Sequence, residues 1–272
     1  MKMKQYFAAA LVAVATLSNG FTQSARAEDP DTMLDQAKEL FAQRADLAKA
    51  NEAVNLLKGA EAIATDADLK YDIQILLSRT YYWLGLHQST KDSKKAMYDA
   101  GQKAADRAKQ ASDDFAEAYY FAGINLARWA EANGVLESLA RKGELISYMQ
   151  GAMDRVTRDG APGESTDGYG PHRTLGRMFK KLPAVFGGSR EKSLNHLNTA
   201  YSKAPTLAMN GLYLADTLKD RGSSSEVARA QEILTSLLAH KGNPAGLNPD
   251  RVPETTEELV LVEDLLNGKA IP

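Results

Sequence analysis

The stretch from Tyr169 to Pro205 constrains this chain more than any other. Gly170-Pro171 opens a helix over about His172 to Lys181, since proline in a first helical turn leaves no N–H unpaired. Pro183 stops it by pushing the residue before it out of helical geometry. Gly187-Gly188 allows positive φ angles, and Ser189 stands where it can cap the next helix. On that helix Ser193, Leu197 and Ala200 share a face, and Pro205 ends it. Pro171, Gly187, Gly188 and Ser189 therefore specify a sharp helical hairpin.

The same grammar recurs along the chain. Small residue, large apolar, alanine and proline at these offsets match the second half of a tetratricopeptide repeat. Leu77, Ser78, Tyr81 and Gly85 fit a first helix of that kind, and Gly101, Ala105 and Ala108 form the inward face of its partner. Ala118, Ala122, Gly123 and Leu126 repeat the pattern, as do Asn210, Leu214, Ala215, Leu218 and Gly222 after Pro205. Near the start, Asp29-Pro30 opens a helix carrying Leu34, Ala37, Leu40, Phe41 and Leu47, followed by one with Ala53, Leu57 and Ala60. Ser112-Asp113 is read as a cap, Gly143 and Gly151 as bends or close contacts, and Thr255…Glu258 as the capping box of a last helix ending at Gly268. No segment reads as a strand, because cap and glycine signals override the β-like run Leu259-Val260-Leu261-Val262. The expected fold is all-α: a TPR-like array of helical hairpins in a single superhelical bundle, in which each pair buries its apolar stripe against its neighbours. It divides into an N-terminal block 29–158, a glycine-punctuated loop 159–168 and a C-terminal block 169–272.

Residues 1–27 read differently. Lys2 and Lys4 precede an apolar run from Tyr6 to Leu17, and Ala25-Arg26-Ala27 is a small-x-small cleavage site. This is the pattern of a secretory signal peptide, with the helical domain then spanning 28–272 and the periplasm as destination. The chain has no cysteine, so lipidation at a cysteine, disulfides and thiolate metal sites are excluded. Loss of Lys2, Lys4 and Arg26, with no acidic residue in the segment, moves the formal charge from −2 to −5. An acidic chain without basic blocks is a poor match for nucleic acid or an anionic membrane surface.

The familiar catalytic signatures are missing: no HExxH, no GxGxxG before a helix, no phosphate loop, no G-x-S-x-G elbow. His87, His172, His196 and His240 fall on separate segments without ligand spacing, so neither a metal site nor a cofactor is expected. Asp113-Asp114 and Glu257-Glu258 read as helix-start carboxylates facing the dipole. No catalytic residue is assigned, and the chain is not expected to be an enzyme. One cluster has two readings. His172, Arg173, Arg177, Lys180 and Lys181 form either a solvated helix face, as exposed charges usually do, or an anion-recognising patch beside Tyr169, Phe179 and Phe186. On the second reading Tyr169, Arg173, Arg177, Phe179 and Phe186 bind a ligand or partner.

Tyr169-Gly170-Pro171, Arg173, Leu175-Gly176, Pro183 and Phe186-Gly187-Gly188-Ser189, then a helix ending in Ala-Pro and Asn210…Leu214-Ala215, resemble the T component associated with TRAP transporters. The resemblance covers about residues 169–222 in motifs and the N-terminal block in helix pattern. It implies an all-helical TPR-like bundle with a cavity or pore and a periplasmic accessory role. The implied partner is the transporter's solute-binding protein, with a small organic acid or hydrophobic molecule as a further candidate. Some members are lipoproteins; without a cysteine this chain is expected to be soluble, exported and not membrane-anchored, and self-association is left open. The alternative function is a general periplasmic scaffold for envelope assembly with no small ligand.

Overall fold

The computed structural model describes residues 29–271, so the expected signal peptide lies outside the described residues. Within them the chain is all-helical. Helices α1 (Pro30–Ala42), α2 (Leu47–Ile63), α3 (Ala67–Leu86), α4 (Lys91–Ala111) and α5 (Ala116–Asn133) pack each against the next. The short α6 (Val135–Ala140) and α7 (Lys142–Met153) return along α5. After the connecting loop come α8 (Thr166–Lys181), α9 (Arg190–Lys203), α10 (Ala208–Lys219), α11 (Ser224–Leu238) and α12 (Val252–Leu266), again stacked in order.

The residues expected to set the close packing do so. Ser78 donates to the Gly101 carbonyl at 2.8 Å and receives Asn125 Nδ2 at 3.1 Å, which ties α3, α4 and α5 through small polar groups where larger ones would not fit. Leu57, Leu77, Leu126, Leu197, Leu214 and Leu234 are fully buried. Burying one such side chain contributes about 1.5–3 kcal/mol.

The α8–α9 hairpin is built as its sequence requires. Gly187 has φ 89°, and a Cβ at Gly188 would lie 1.8 Å from the Leu182 carbonyl oxygen. The Ser189 hydroxyl accepts the Lys192 N–H at 3.2 Å, and Pro171 sits in the first right-handed turn of α8.

Several local readings are corrected. Leu47 belongs to α2, because Gln43–Asp46 break the chain and Asp46 caps the new helix through Ala48 N–H. Phe115, not Ser112-Asp113, precedes α5; Asp113 instead pairs with Arg155 and Tyr119. The bend falls at Arg141, between α6 and α7, and not at Gly143, while Gly151 gives Tyr119 room to approach. The expected capping box Thr255…Glu258 is not one: α12 begins earlier, and both side chains are buried inside it. The box that forms is Ser223…Glu226, at the start of α11.

The two blocks close into a ring. On one side α5 and α7 pack against α8. On the other, Arg44 in the α1–α2 turn grips Glu254 of α12 in a two-pronged pair, at 2.8 and 2.5 Å, and donates to the Asp250 carbonyl. His87 at the end of α3 meets Glu257 at 2.8 Å.

Candidate functional site: a cationic cavity inside the ring

Ring closure leaves a cavity of about 200 Å³ between the blocks, open in part to solvent. One water needs about 10–15 Å³ by the same kind of measure, so the space suits a small organic molecule. Its long wall is α8. Arg173, Thr174, Arg177, Met178, Lys181 and Leu182 follow one another at helical spacing along it, a stripe of about 13 Å at 1.5 Å per residue. Facing them are Tyr82 and Trp83 of α3, Phe121, Ile124 and Ala127 of α5, and Leu145 of α7. Met209 and Tyr213 of α10 complete the wall with Glu254 and Glu258 of α12.

The charge on this wall is unbalanced. Arg79, Arg128, Arg141 and Lys142 enter from the N-terminal block, and Arg173, Arg177, Lys181 and Arg251 from the C-terminal block. Against these eight stand four carboxylates on the wall, Glu131, Asp167, Glu254 and Glu258, and two outside the lining, Glu144 and Asp216, that pair with Arg141 and Arg177. A chain that is net negative overall thus keeps a net positive interior.

Asp167 organises one end. It begins a single left-handed turn, Asp167-Gly168-Tyr169, with φ of 50°, 62° and 61° before α8 turns right-handed. A left-handed residue other than glycine costs roughly 1–2 kcal/mol, least for Asp and Asn. The turn aims the Asp167 carboxylate inward, where it accepts from Tyr120 Oη, Arg173 Nη2 and Arg251 Nη1, each at 2.6 Å. Gly170 lets the Tyr120 ring lie against the start of α8, where a Cβ would be 2.4 Å from it. Asn210 locks the turn from α10: its amide donates to the carbonyls of Gly168, Ala200 and Ala204, and its Oδ1 accepts Arg173 Nη1 at 3.0 Å. Burial alone would push the Asp167 carboxyl up; the guanidiniums of Arg251 and Arg173 and the Tyr120 hydroxyl overcome it and hold the carboxyl below its ordinary range. Glu258 is the reverse, raised by burial in spite of Arg251 and Arg173.

Further along, Arg177 pairs with Asp216 at 2.5 Å and lies over the Tyr213 ring, and Lys180 also pairs with Asp216. The solvated-face reading of Arg173 and Arg177 is therefore overturned, since both are 6% exposed. The other three expected site residues lie off the cavity wall. Tyr169 leans toward His172, Phe179 stacks on His196, and Phe186 is 46% exposed on the hairpin turn beside Val185 at 84%. The histidines are not all isolated: His172 and His196 bring their Nδ1 atoms to 3.0 Å. Among the described residues no cluster of three or more His, Asp or Glu could hold a metal, and no helix is long and apolar enough to cross a membrane.

Arg79, Arg128, Arg251, Tyr82 and Trp83 were not legible as site residues. Arg79, Arg128, Tyr82 and Trp83 look like ordinary helix content and Arg251 like loop, and only closure of the ring brings them together. No protein-family model matches the chain, and no curated protein matches it either.

Proposed function

We propose that this protein is a non-enzymatic periplasmic accessory component of a TRAP-type transport system, docking to a solute-binding protein and holding an organic acid in its internal cavity. The observation that carries the ligand half is the wall itself: eight cations to four carboxylates, interleaved with aromatic and aliphatic side chains, inside a net-negative chain. Guanidiniums bind carboxylates through paired N–H donors, and the apolar surface between them takes the remainder of such a molecule. The resemblance over residues 169–222 supplies the transport context. Val185 and Phe186, exposed at the hairpin tip, give a partner an apolar foothold that a purely internal site would not need.

The test is capture of the purified solute-binding protein encoded beside the permease by tagged protein. Association is expected with the wild type and weakened by Val185→Ser/Phe186→Ser, with helicity unchanged. No association with that protein would remove the transport reading and favour a general envelope scaffold.

A further inference from the structure

Resting on the ligand half of that reading, we propose that Arg79 is the residue that selects the ligand's charged end, making the cavity a site for a monocarboxylate with an apolar tail. Most of the other cations on the wall have partners. Arg173 and Arg251 share Asp167, Arg128 pairs with Glu131, Arg141 with Glu144, Arg177 with Asp216, and Lys142 donates to the Phe186 carbonyl. Among the described residues Arg79 has neither a hydrogen bond nor an ion pair; its guanidinium lies 5.2 Å from the Phe41 ring centre and 5.7 Å from that of Phe121.

These rings hold the group without neutralising it. Arg79 lines the cavity and remains solvent-accessible. Burial and the nearby Arg251 and Arg44 disfavour its charge, while Asp167 and Glu254 favour it from beyond ion-pair contact. A guanidinium in the cavity whose donors have no protein partner can turn them, in pairs, on a carboxylate. Lys181, also without a hydrogen bond or ion pair, stands at the other end of the α8 stripe, where it feels Arg177 and Glu131. Between the two ends the wall offers Ile124, Ala127 and Met178, a path for an alkyl or aryl chain.

The probes are octanoate, octanol and octylamine, titrated calorimetrically into the purified protein. Octanoate is expected to bind saturably, with octanol about tenfold weaker or more and octylamine not binding. Arg79→Gln should lose about tenfold for octanoate and bind octanol as before, Arg79→Lys should retain part of the preference, and Lys181→Gln should stay within about twofold. Arg79→Met without ligand should melt at about the wild-type temperature, which a residue kept for the fold would not do. Arg79→Gln binding octanoate like wild type, or a wild type that does not prefer octanoate to octanol, overturns the inference. Either result can occur while the solute-binding protein is still captured, and the inference stands if capture fails but the Arg79-dependent preference is found.

Discussion

At the scale of single residues, Asp167 is the most informative position. Asp167→Asn keeps the side-chain shape and the tolerance for left-handed backbone, but leaves the buried Arg173 without its counter-charge and Arg251 with only the longer contact to Glu258. The expected loss is about 3 kcal/mol at neutral pH, measured by urea unfolding. Because the folded carboxyl titrates below its ordinary range, its stabilisation is complete above the unfolded-chain value, about pH 3.9, and is lost as pH falls through the lower folded value. The variant should lack that part of the acid transition. Glu258 has the opposite sign. Its carboxyl is raised, so the stability linked to it is full at low pH and is lost as pH rises through the folded value. Glu258→Gln retains an acceptor for the Met209 N–H and should be neutral or stabilising at pH 7, with the gain shrinking as pH falls. A melting series from pH 2 to 8 on both variants checks the two signs together.

At the scale of elements, the α8–α9 turn makes the sharpest claim. Gly188→Val must move the Leu182 carbonyl, and Gly187→Val must hold a β-branched residue at positive φ. Each should cost roughly 1–3 kcal/mol, Gly188→Val the more, and Ser189→Ala about 1 kcal/mol as a lost cap. Wild-type melting in all three would mean that the turn is built otherwise. This hairpin was legible in full because each of its signals acts within a few residues: proline at a helix start, glycine in a turn, serine at a cap. The left-handed turn at Asp167 was not legible. Asp-Gly-Tyr reads as ordinary loop, and what stabilises its geometry is Asn210, Arg251 and Tyr120, all remote in sequence. The start of α12 was misread for a related reason. Thr255 and Glu258 have capping-box spacing, but Glu258 is held by Arg251 and the Met209 N–H inside the bundle. Likewise Arg173 and Arg177 have the spacing of a solvated face, and only the packing of α8 against α5 and α10 shows that they point inward.

At the scale of the whole molecule, the cavity exists because a linear array of hairpins bends until its ends meet. The clasp is Arg44–Glu254, joining residues 210 apart, with the Arg44 side chain 4% exposed. Glu254→Ala should cost about 3 kcal/mol or more by stranding that guanidinium, and should raise proteolysis in the α12 region before it alters helix content. The central claim is that the cavity is a binding site and not a packing remnant. Ala127 lines it from α5, so Ala127→Trp would place an indole in the space a ligand would occupy while leaving the charges on the wall in place. The decisive measurement is an octanoate isotherm for wild type and Ala127→Trp, matched by circular dichroism. One saturable site in the wild type and none in the filled variant, at equal helicity, is the expected result. Equal binding by the two proteins would put the acid somewhere other than the cavity and contradict the account.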